Sequence, residues 1–286
     1  MRTKIAVSLL AIAVSNLPIT AWASLLLNEN FSSYASGNLV GQNGWTQVGA
    51  ASSLPLQVTG GKVVIPGGQS ADNQDAFKDN SAGVVPVPGS GTTSIFYGLD
   101  LTVQSAPTLG SGGITSPSYF AALYNGAGGT GFANERLTAQ DNSANVSGTY
   151  LLGARVTGQA ADPFTYGTTP LSYGTLYNVV VEADMVAGSG NDTLEIFVNG
   201  TPYLTHPMGA LASDPAGIGS FVLSQFASAT VGNVGATIGA VRMADNYNEA
   251  AGVPEPSTIL LGCLALLGFS SKIRSGHRRQ VQRTIL

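Results

Sequence analysis

The closest approach to a catalytic pair in the sequence is two carboxylates separated by one residue. Glu182 and Asp184 flank Ala183 in a stretch where apolar and acidic residues alternate. Such alternation predicts a β-strand with both acids on one face. Retaining glycoside hydrolases use two carboxyl groups about 5–5.5 Å apart, so Glu182 and Asp184 are a candidate catalytic pair. The simpler interpretation is the solvated outer face of a strand.

Other catalytic groups are scarce. His206 is the one histidine between residues 24 and 252, and the single cysteine of the chain is Cys263. No Gly-x-Ser-x-Gly nucleophile elbow accompanies the histidine, and a zinc site needs several histidine or cysteine ligands. We therefore expect His206 in a surface loop, no catalytic residue and no disulfide in the middle of the chain.

Two oxygen-rich loops make calcium the one metal that the chain could bind. Asn191 and Asp192 end the Gly-rich segment 188–192, and a second acidic segment spans 72–75. Carboxylate and amide oxygens with flexible spacing suit Ca²⁺, but the same residue types also form ordinary turns. Calcium at Asn191 and Asp192 is a prediction beside that of a plain turn, and no other cofactor is expected.

Two groups of aromatic residues could form a platform for a sugar ring. Aromatic residues of a β-sandwich also fill its core, so both roles stay open. One group lies on a predicted strand and the other surrounds a loop: Tyr119, Phe120 and Tyr124, and Tyr166, Tyr173 and Tyr177.

The elements that would position these residues are short strands. Between residues 24 and 252, β-type runs alternate with clusters of Gly, Asn, Asp and Pro, and few helical patterns appear. This is typical of a sandwich or barrel. Thr59-Gly60-Gly61-Lys62 has the composition of a hairpin turn. The predicted strands are 25–31, 54–59, 62–65, 93–103, 119–124, 149–156, 176–186, 193–198, 220–224 and 236–243.

Parts of this region resemble a known fold family. Glu29-Asn30-Phe31 precedes a Tyr-x-x-Gly loop (34–37) and Trp45, and a hairpin-like pair of runs covers 176–200. These features resemble laminin-G-like and concanavalin A-like jelly-roll domains of secreted bacterial proteins. The resemblance implies an antiparallel sandwich, and many such domains bind calcium beside a glycan. Related glycoside hydrolases carry a Glu-x-Asp-x-x-Glu pattern, and Ala187 stands where the last acid would be, which argues against catalysis.

The N-terminal residues predict export. Positive residues precede an apolar stretch (5–17), and small residues follow at Ala21 and Ala23, where signal peptidase requires them. Segment 1–23 is therefore predicted to be a secretory signal peptide with a short helix, cleaved after Ala23.

The charge of the middle of the chain limits its partners. Residues 24–252 contain five Lys or Arg and fifteen Asp or Glu side chains, and thus carry a net charge of −10. An acidic surface repels phosphate backbones. The charge therefore argues against nucleic acid as a partner, whereas it is compatible with divalent cations and neutral glycans.

The C-terminal residues have three parts in a fixed order. A Pro-Glu-Pro turn is followed by an apolar run and then by a basic end without acidic residues. As a helix, 257–271 would cover roughly 22 Å, less than the bilayer core of about 30 Å, and the basic end would stay cytoplasmic. This order resembles the PEP-CTERM sorting signal of exopolysaccharide-producing Gram-negative bacteria, which an exosortase recognises and cleaves. The residues concerned are Val253, Pro254, Glu255, Pro256, Ser257, Arg278 and Arg279.

These patterns divide the chain into four parts. They are a signal peptide (1–23), an all-β antiparallel sandwich of the jelly-roll, concanavalin A-like type (24–246), a flexible linker (247–252) and a sorting signal with a short hydrophobic helix (253–286). We expect a non-enzymatic protein that crosses the inner membrane, is anchored there transiently, and reaches the cell surface or extracellular matrix, where it binds glycan or has a structural role.

The expected partners are signal peptidase and the export machinery, an exosortase, and extracellular polysaccharide. Two alternatives stay open. One is a polysaccharide-degrading hydrolase or lyase on the same fold, and the other is a matrix protein without a ligand.

Overall fold

Strands make up most of the folded chain. The computed structural model describes residues 24–48, 54–67, 74–86, 89–111, 116–126, 133–156, 164–188, 191–207, 217–225 and 231–253. Within these ranges there are twenty strands, one 3-10 turn (Phe31–Ser33) and one helix, α1 (Tyr247–Ala251). The strands are β1 (Leu25–Asn30), β2 (Gly37–Asn38), β3 (Thr46–Val48), β4 (Gln57–Thr59), β5 (Lys62–Ile65), β6 (Gln74–Asp79), β7 (Val85–Pro86), β8 (Thr92–Ser105), β9 (Ser116–Pro117), β10 (Tyr119–Asn125), β11 (Ala133–Asp141), β12 (Thr149–Val156), β13 (Thr165–Tyr166), β14 (Leu171–Ser172), β15 (Leu176–Val186), β16 (Thr193–Val198), β17 (Thr201–Pro207), β18 (Gly217–Gln225), β19 (Val231–Gly232) and β20 (Gly235–Ala244).

The strands form two nine-stranded antiparallel sheets. Sheet A has the order β17-β16-β15-β8-β20-β5-β4-β2, and β1 also pairs with β20. Sheet B has the order β13-β12-β11-β10-β18-β6-β3, with β14 beside β12 and β7 beside β18. A short parallel pair, β9 and β19, stands apart. The predicted all-β antiparallel fold is confirmed, whereas the predicted signal helix and C-terminal apolar helix lie outside the described residues.

One core lies between the two sheets. In β15, Val181 and Ala183 are fully buried while Glu182 and Asp184 lie on the opposite face, as the alternation predicts. Burying a large apolar side chain contributes about 1.5–3 kcal/mol, so the shared core holds the sheets face to face. Sheet B supplies a matching row of core residues: Leu123, Leu137, Leu152 and Phe221.

The Glu29 segment forms a buried polar network. The Glu29 carboxylate accepts hydrogen bonds from Lys78 Nζ and from the Tyr34 hydroxyl. Trp45 Nε1 donates to it at 3.4 Å, and the Trp45 ring packs beside Phe31 with centroids 6.0 Å apart. A charged group that leaves water needs such partners. The residues of the jelly-roll resemblance therefore join β1 to β6 and to the loop before β3.

Helix α1 packs on the outer face of sheet A, the face turned away from sheet B. Asn246 caps its N-terminus by accepting a backbone N–H at 3.1 Å, and Gly252 ends it in the left-handed conformation, with φ 71°. Gly98 on β8 permits the contact, because a Cβ there would lie 1.9 Å from the Ala250 carbonyl oxygen. Segment 247–252, expected to be a flexible linker, differs from that expectation because its apolar side chains pack on the sheet.

Candidate functional site

A cleft of about 360 Å³ opens on the outer face of sheet B, the face turned away from sheet A. Sites for small molecules usually have volumes of roughly 300–1,000 Å³. The cleft lies where β10, β11 and β12 run side by side, next to the β9–β19 pair. Its polar and aromatic lining comes from Asp75, Ser116, Ser118, Tyr119, Arg136 and Arg155.

Arg136, Tyr119 and Asp75 form one side of the cleft. The Arg136 Cζ atom lies 4.5 Å from the centroid of the Tyr119 ring, which is a cation–π contact. The Tyr119 hydroxyl donates to Asp75 Oδ2 at 3.3 Å. Burial, and then the charge of Asp75, raise the pKa of Tyr119. The hydroxyl is therefore protonated at neutral pH and acts as a hydrogen-bond donor.

Arg155 lines the other side of the cleft, and two aromatic residues lie next to it. The Arg155 Cζ atom lies 4.4 Å from the centroid of the Phe164 ring. Tyr166 extends this aromatic surface across Gly153, where a Cβ atom would come within 2.5 Å of the tyrosine ring. A side chain at position 153 would displace the ring, so glycine is required there. Arg155 also stands directly opposite Arg136 in the β11–β12 ladder.

An apolar patch borders the cleft on the same face of sheet B. Its buried members are separate from the main core, and Tyr119 packs against them from the cleft side. The patch consists of Phe77, Ala122, Tyr124 and Val222, with Val48 at its margin. The outer face of sheet B thus combines an apolar area with charged and hydroxyl groups.

The predicted carboxylate pair lies on the other sheet. Glu182 faces Glu195 directly across the β15–β16 ladder, and Asp184 accepts a hydrogen bond from the Ser94 hydroxyl. Partial burial, followed by the charges of Asp184 and Glu195, raises the pKa of Glu182 to about 7. Three carboxylates therefore share the outer face of sheet A, and one of them is about half protonated near neutral pH.

The residues predicted to bind calcium close the β15–β16 hairpin. Asp192 is buried, and its Oδ1 accepts from the Val186 N–H at 2.6 Å. Asn191 donates its side-chain N–H to the Ala187 carbonyl at 3.0 Å. In the described part of the chain, no three His, Cys, Asp or Glu side chains gather closely enough to hold a metal. These contacts are those of a turn, and calcium binding stays a prediction.

The remaining aromatic candidates and the histidine separate in the fold. His206 is 5% exposed on β17, so the surface-loop position was wrong, because the segment pairs with β16 instead of ending at a loop. The structure places Tyr119 at the cleft and Tyr166 beside Phe164, with ring centroids 6.4 Å apart. Tyr124 lies in the adjoining patch, Phe120 in the core, and Tyr173 and Tyr177 pack against the core.

Several predicted residues lie outside the described ranges. Val253 is described and is 51% exposed. None of the helices in the ranges given above is long and apolar enough to span a membrane. The residues outside are Ala21 and Ala23 at the N-terminus, and Pro254, Glu255, Pro256, Ser257, Arg278 and Arg279 at the C-terminus.

The sequence did not single out the two cleft arginines as a pair. Arg155 falls on a correctly predicted strand, but Arg136 falls on β11, which was not predicted. Their rarity could have drawn attention to them, because they are two of only five positive residues between 24 and 252. Their juxtaposition depends on strand register, which the sequence pattern did not provide.

A comparison with protein families identifies the C-terminal segment. Residues 252–275 match the family model for the PEP-CTERM protein-sorting motif. This segment is a PEP-CTERM sorting motif. The PEP-CTERM motif implies export, membrane-anchored sorting in Gram-negative bacteria, and processing by an exosortase. It begins at Gly252, the residue that ends α1 on sheet A.

Solved structures with a similar arrangement include three β-sandwich proteins. A sialidase is 12% identical, with a TM-score of 0.42, over 80% of this chain, and the chain spans 19% of its length. The alginate lyase Aly36B is 13% identical, with a TM-score of 0.45, over 76% of this chain and 95% of its own. The CBM2 module of the evolved Dit of Lactobacillus casei BL23 phage J-1 is 12% identical, with a TM-score of 0.47, over 79% of this chain and 98% of its own. A comparison with curated proteins found no match.

Proposed function

We propose that the chain is an exported polysaccharide-binding protein whose sandwich holds glycan in the cleft of sheet B. The observation that carries the proposal is a pair of arginine–aromatic contacts, Arg136 on Tyr119 and Arg155 on Phe164, whose two guanidinium groups line one surface cleft. A sugar ring has apolar C–H faces and a rim of hydroxyl groups. It is therefore complementary to aromatic rings bordered by hydrogen-bond donors and acceptors.

The chemistry of the cleft supports binding without cleavage. Glycoside hydrolysis uses two carboxyl groups on either side of the scissile bond, and Asp75 is the one carboxylate among the described residues that line the cleft. Tyr119 is held protonated, which makes it a poor general base. The groups present can orient a sugar, and they do not form a catalytic pair.

The sorting motif supports a position at the cell surface or in the extracellular matrix. The motif starts where α1 ends on sheet A, whereas the cleft opens on sheet B. An exosortase could therefore act on the tail while the cleft stays accessible to polysaccharide. Glycan binding would then be the role of the sandwich after sorting.

Affinity electrophoresis of the full chain in gels that contain single soluble polysaccharides tests the proposal. We expect at least one polysaccharide to retard the chain, and Tyr119→Ala to reduce the retardation. Tyr247→Ala, which removes a ring packed on the other sheet, is the matched control and should migrate like the wild type. No retardation by any polysaccharide, or equal retardation of Tyr119→Ala and wild type, would reject the proposal.

A second candidate function is glycoside hydrolysis on sheet A. It is favoured by the pKa of Glu182, raised to about 7 beside Asp184 and Glu195, because a glycosidase needs one protonated and one ionised carboxyl group. Release of reducing ends from the same polysaccharides would measure it. Activity that is lost in Glu182→Gln would support this function, and no release from any of them would exclude it.

A further inference from the structure

Arg136 and Arg155 occupy an electrostatically unfavourable position. They are directly opposite each other on neighbouring antiparallel strands, β11 and β12. Like charges in this position destabilise a sheet. In addition, Nε of Arg136 is buried and has no hydrogen-bond partner among the described residues. Natural sequences mostly avoid locally unfavourable arrangements of this kind, and the exceptions are expected at functional sites.

The pair is more unusual because the surrounding chain is acidic. Residues 24–252 carry five positive and fifteen negative side chains. Lys78 is paired with the buried Glu29, and Arg242 lies 3.3 Å from Asp100. Lys62 is exposed at the β4–β5 hairpin. Among the described strands, Arg136 and Arg155 are thus the only two positive residues of this segment that stand directly opposite each other.

The described lining of the cleft contains more positive than negative side chains. Asp75 is the one described carboxylate that lines it, against two guanidinium groups. Tyr119 and Phe164 each cover a guanidinium with an aromatic ring. Stacking fixes the plane of an arginine and leaves its N–H donors arranged in the plane, in a geometry that matches a carboxylate or sulfate group. Two such groups side by side favour a ligand with an anionic substituent.

We infer that the cleft selects acidic saccharides, with the anionic group of one sugar unit bound between Arg136 and Arg155 while its ring lies against the neighbouring aromatic side chains. This inference rests on the proposed function, since it names the class of glycan for the same site. The anion offsets the repulsion between the two arginines. Binding should therefore depend on the charge of the sugar more than on its hydroxyl pattern.

Calorimetric titration of the full chain with a galacturonate hexamer, and with the same hexamer fully methyl-esterified, tests this inference. The two probes share one backbone and differ in charge. We expect the acidic hexamer to bind at least tenfold more tightly, because charge-assisted hydrogen bonds are about twice as strong as neutral ones. Affinity for the acidic hexamer should also fall as NaCl increases. A sulfated hexasaccharide distinguishes an anion in general from a carboxylate.

Single substitutions test whether the two cleft arginines bind the acidic group of the sugar. Arg136→Gln and Arg155→Gln should each weaken binding of the acidic hexamer about tenfold or more and leave the esterified hexamer nearly unchanged. Lys62→Gln removes the same charge from sheet A, away from the cleft, and should bind like the wild type. Circular dichroism of each variant verifies that it is folded.

Two results would overturn the inference and leave the proposed function in place. Equal affinity for the acidic and esterified hexamers, with loss of both in Tyr119→Ala, would refute charge selection and leave glycan binding in place. Binding of neutral polysaccharides in the affinity gels without any binding of the acidic or sulfated hexamer would refute it in the same way. Failure of every polysaccharide and of all three oligosaccharides to bind would reject the proposed function together with this inference.

Discussion

At the scale of single residues, the buried Glu29 carboxylate depends on its partners. Its side chain is 3% exposed, and Lys78, 16% exposed, is its counter-charge. Removing one partner of a buried ion pair leaves an uncompensated charge, which typically costs 3–5 kcal/mol. The hydroxyl of Tyr34 and the indole of Trp45 still donate to this carboxylate, so some of the cost is offset.

We therefore predict that Lys78→Met lowers the free energy of unfolding by about 3 kcal/mol in urea denaturation. The double variant Glu29→Gln/Lys78→Met should lose less than the two single variants summed, because the pair is coupled. Additive losses would contradict the assigned pairing.

Glu135 is a buried acid whose environment favours the protonated form. It is fully buried in β11, and neither carboxyl oxygen has a hydrogen-bond partner among the described residues. Burial, and then the charge of Asp192, raise its pKa to about 8. The folded protein therefore retains a proton that the unfolded chain releases near pH 4.5, so stability falls as pH rises from about 4.5 to about 8.

We predict that Glu135→Gln removes this pH dependence. Between pH 5 and 8 the variant should gain stability relative to wild type by up to roughly 1.4 kcal/mol per pH unit, because an amide has no proton to lose. Urea denaturation at four pH values measures the difference. Parallel stability curves for the two proteins would show that Glu135 is not held in its protonated form.

Residue patterns predicted some positions and missed others. The alternation around Glu182 and Asp184 correctly placed both acids on an outer face. The cleft was not predicted, because Arg136 and Arg155 become neighbours only through pairing of β11 with β12. His206 was misplaced for a related reason, since a polar segment became a strand through pairing with β16.

At the scale of elements, strands with apolar alternation were predicted well. Segments 62–65, 149–156, 176–186 and 193–198 have the observed bounds. Gly60 and Gly61 adopt positive φ values of 57° and 72° in the predicted hairpin turn. The longer strands that were missed, β6, β11 and β17, contain charged residues or proline, which have low strand propensity. Their conformation is determined by neighbouring strands, a contribution that local sequence does not show.

The contact between α1 and sheet A gives an element-scale prediction. Gly98→Ala should destabilise the chain by about 1–3 kcal/mol, because its Cβ would meet the Ala250 carbonyl and displace the helix. Gly239→Ala, on the adjacent β20, is the control, since its Cβ would make ordinary contact with Asp100 at 3.5 Å. Urea denaturation compares the two. Equal stability of the two variants would contradict close packing of α1.

At the scale of the whole molecule, the chain enters the sorting motif at sheet A, whereas the cleft opens on sheet B. The PEP-CTERM motif begins at Gly252, and the Val253 N–H bonds to the Asn248 carbonyl at 2.9 Å. Removing residues 254–286 therefore retains every described contact of α1. We predict an unchanged thermal midpoint and an altered distribution between membrane, surface and medium, measured by cell fractionation. An unchanged distribution would contradict sorting through this motif.

The net charge of residues 24–252 follows from the sequence, but the positions of the charged side chains in the fold do not. Composition predicted an acidic middle region, which argues against nucleic acid as a partner. It could not show that two of the five positive residues meet in one cleft while three carboxylates share the opposite sheet. Long-range strand order produces that separation.

Hydrogen exchange of the full chain, with and without the polysaccharide that retards it most, tests the central claim most directly. If the cleft of sheet B holds the glycan, protection should increase in 116–125 and 133–156 and stay unchanged in 176–207 on sheet A. Protection confined to 176–207 would contradict the account and assign the glycan to the face that carries Glu182.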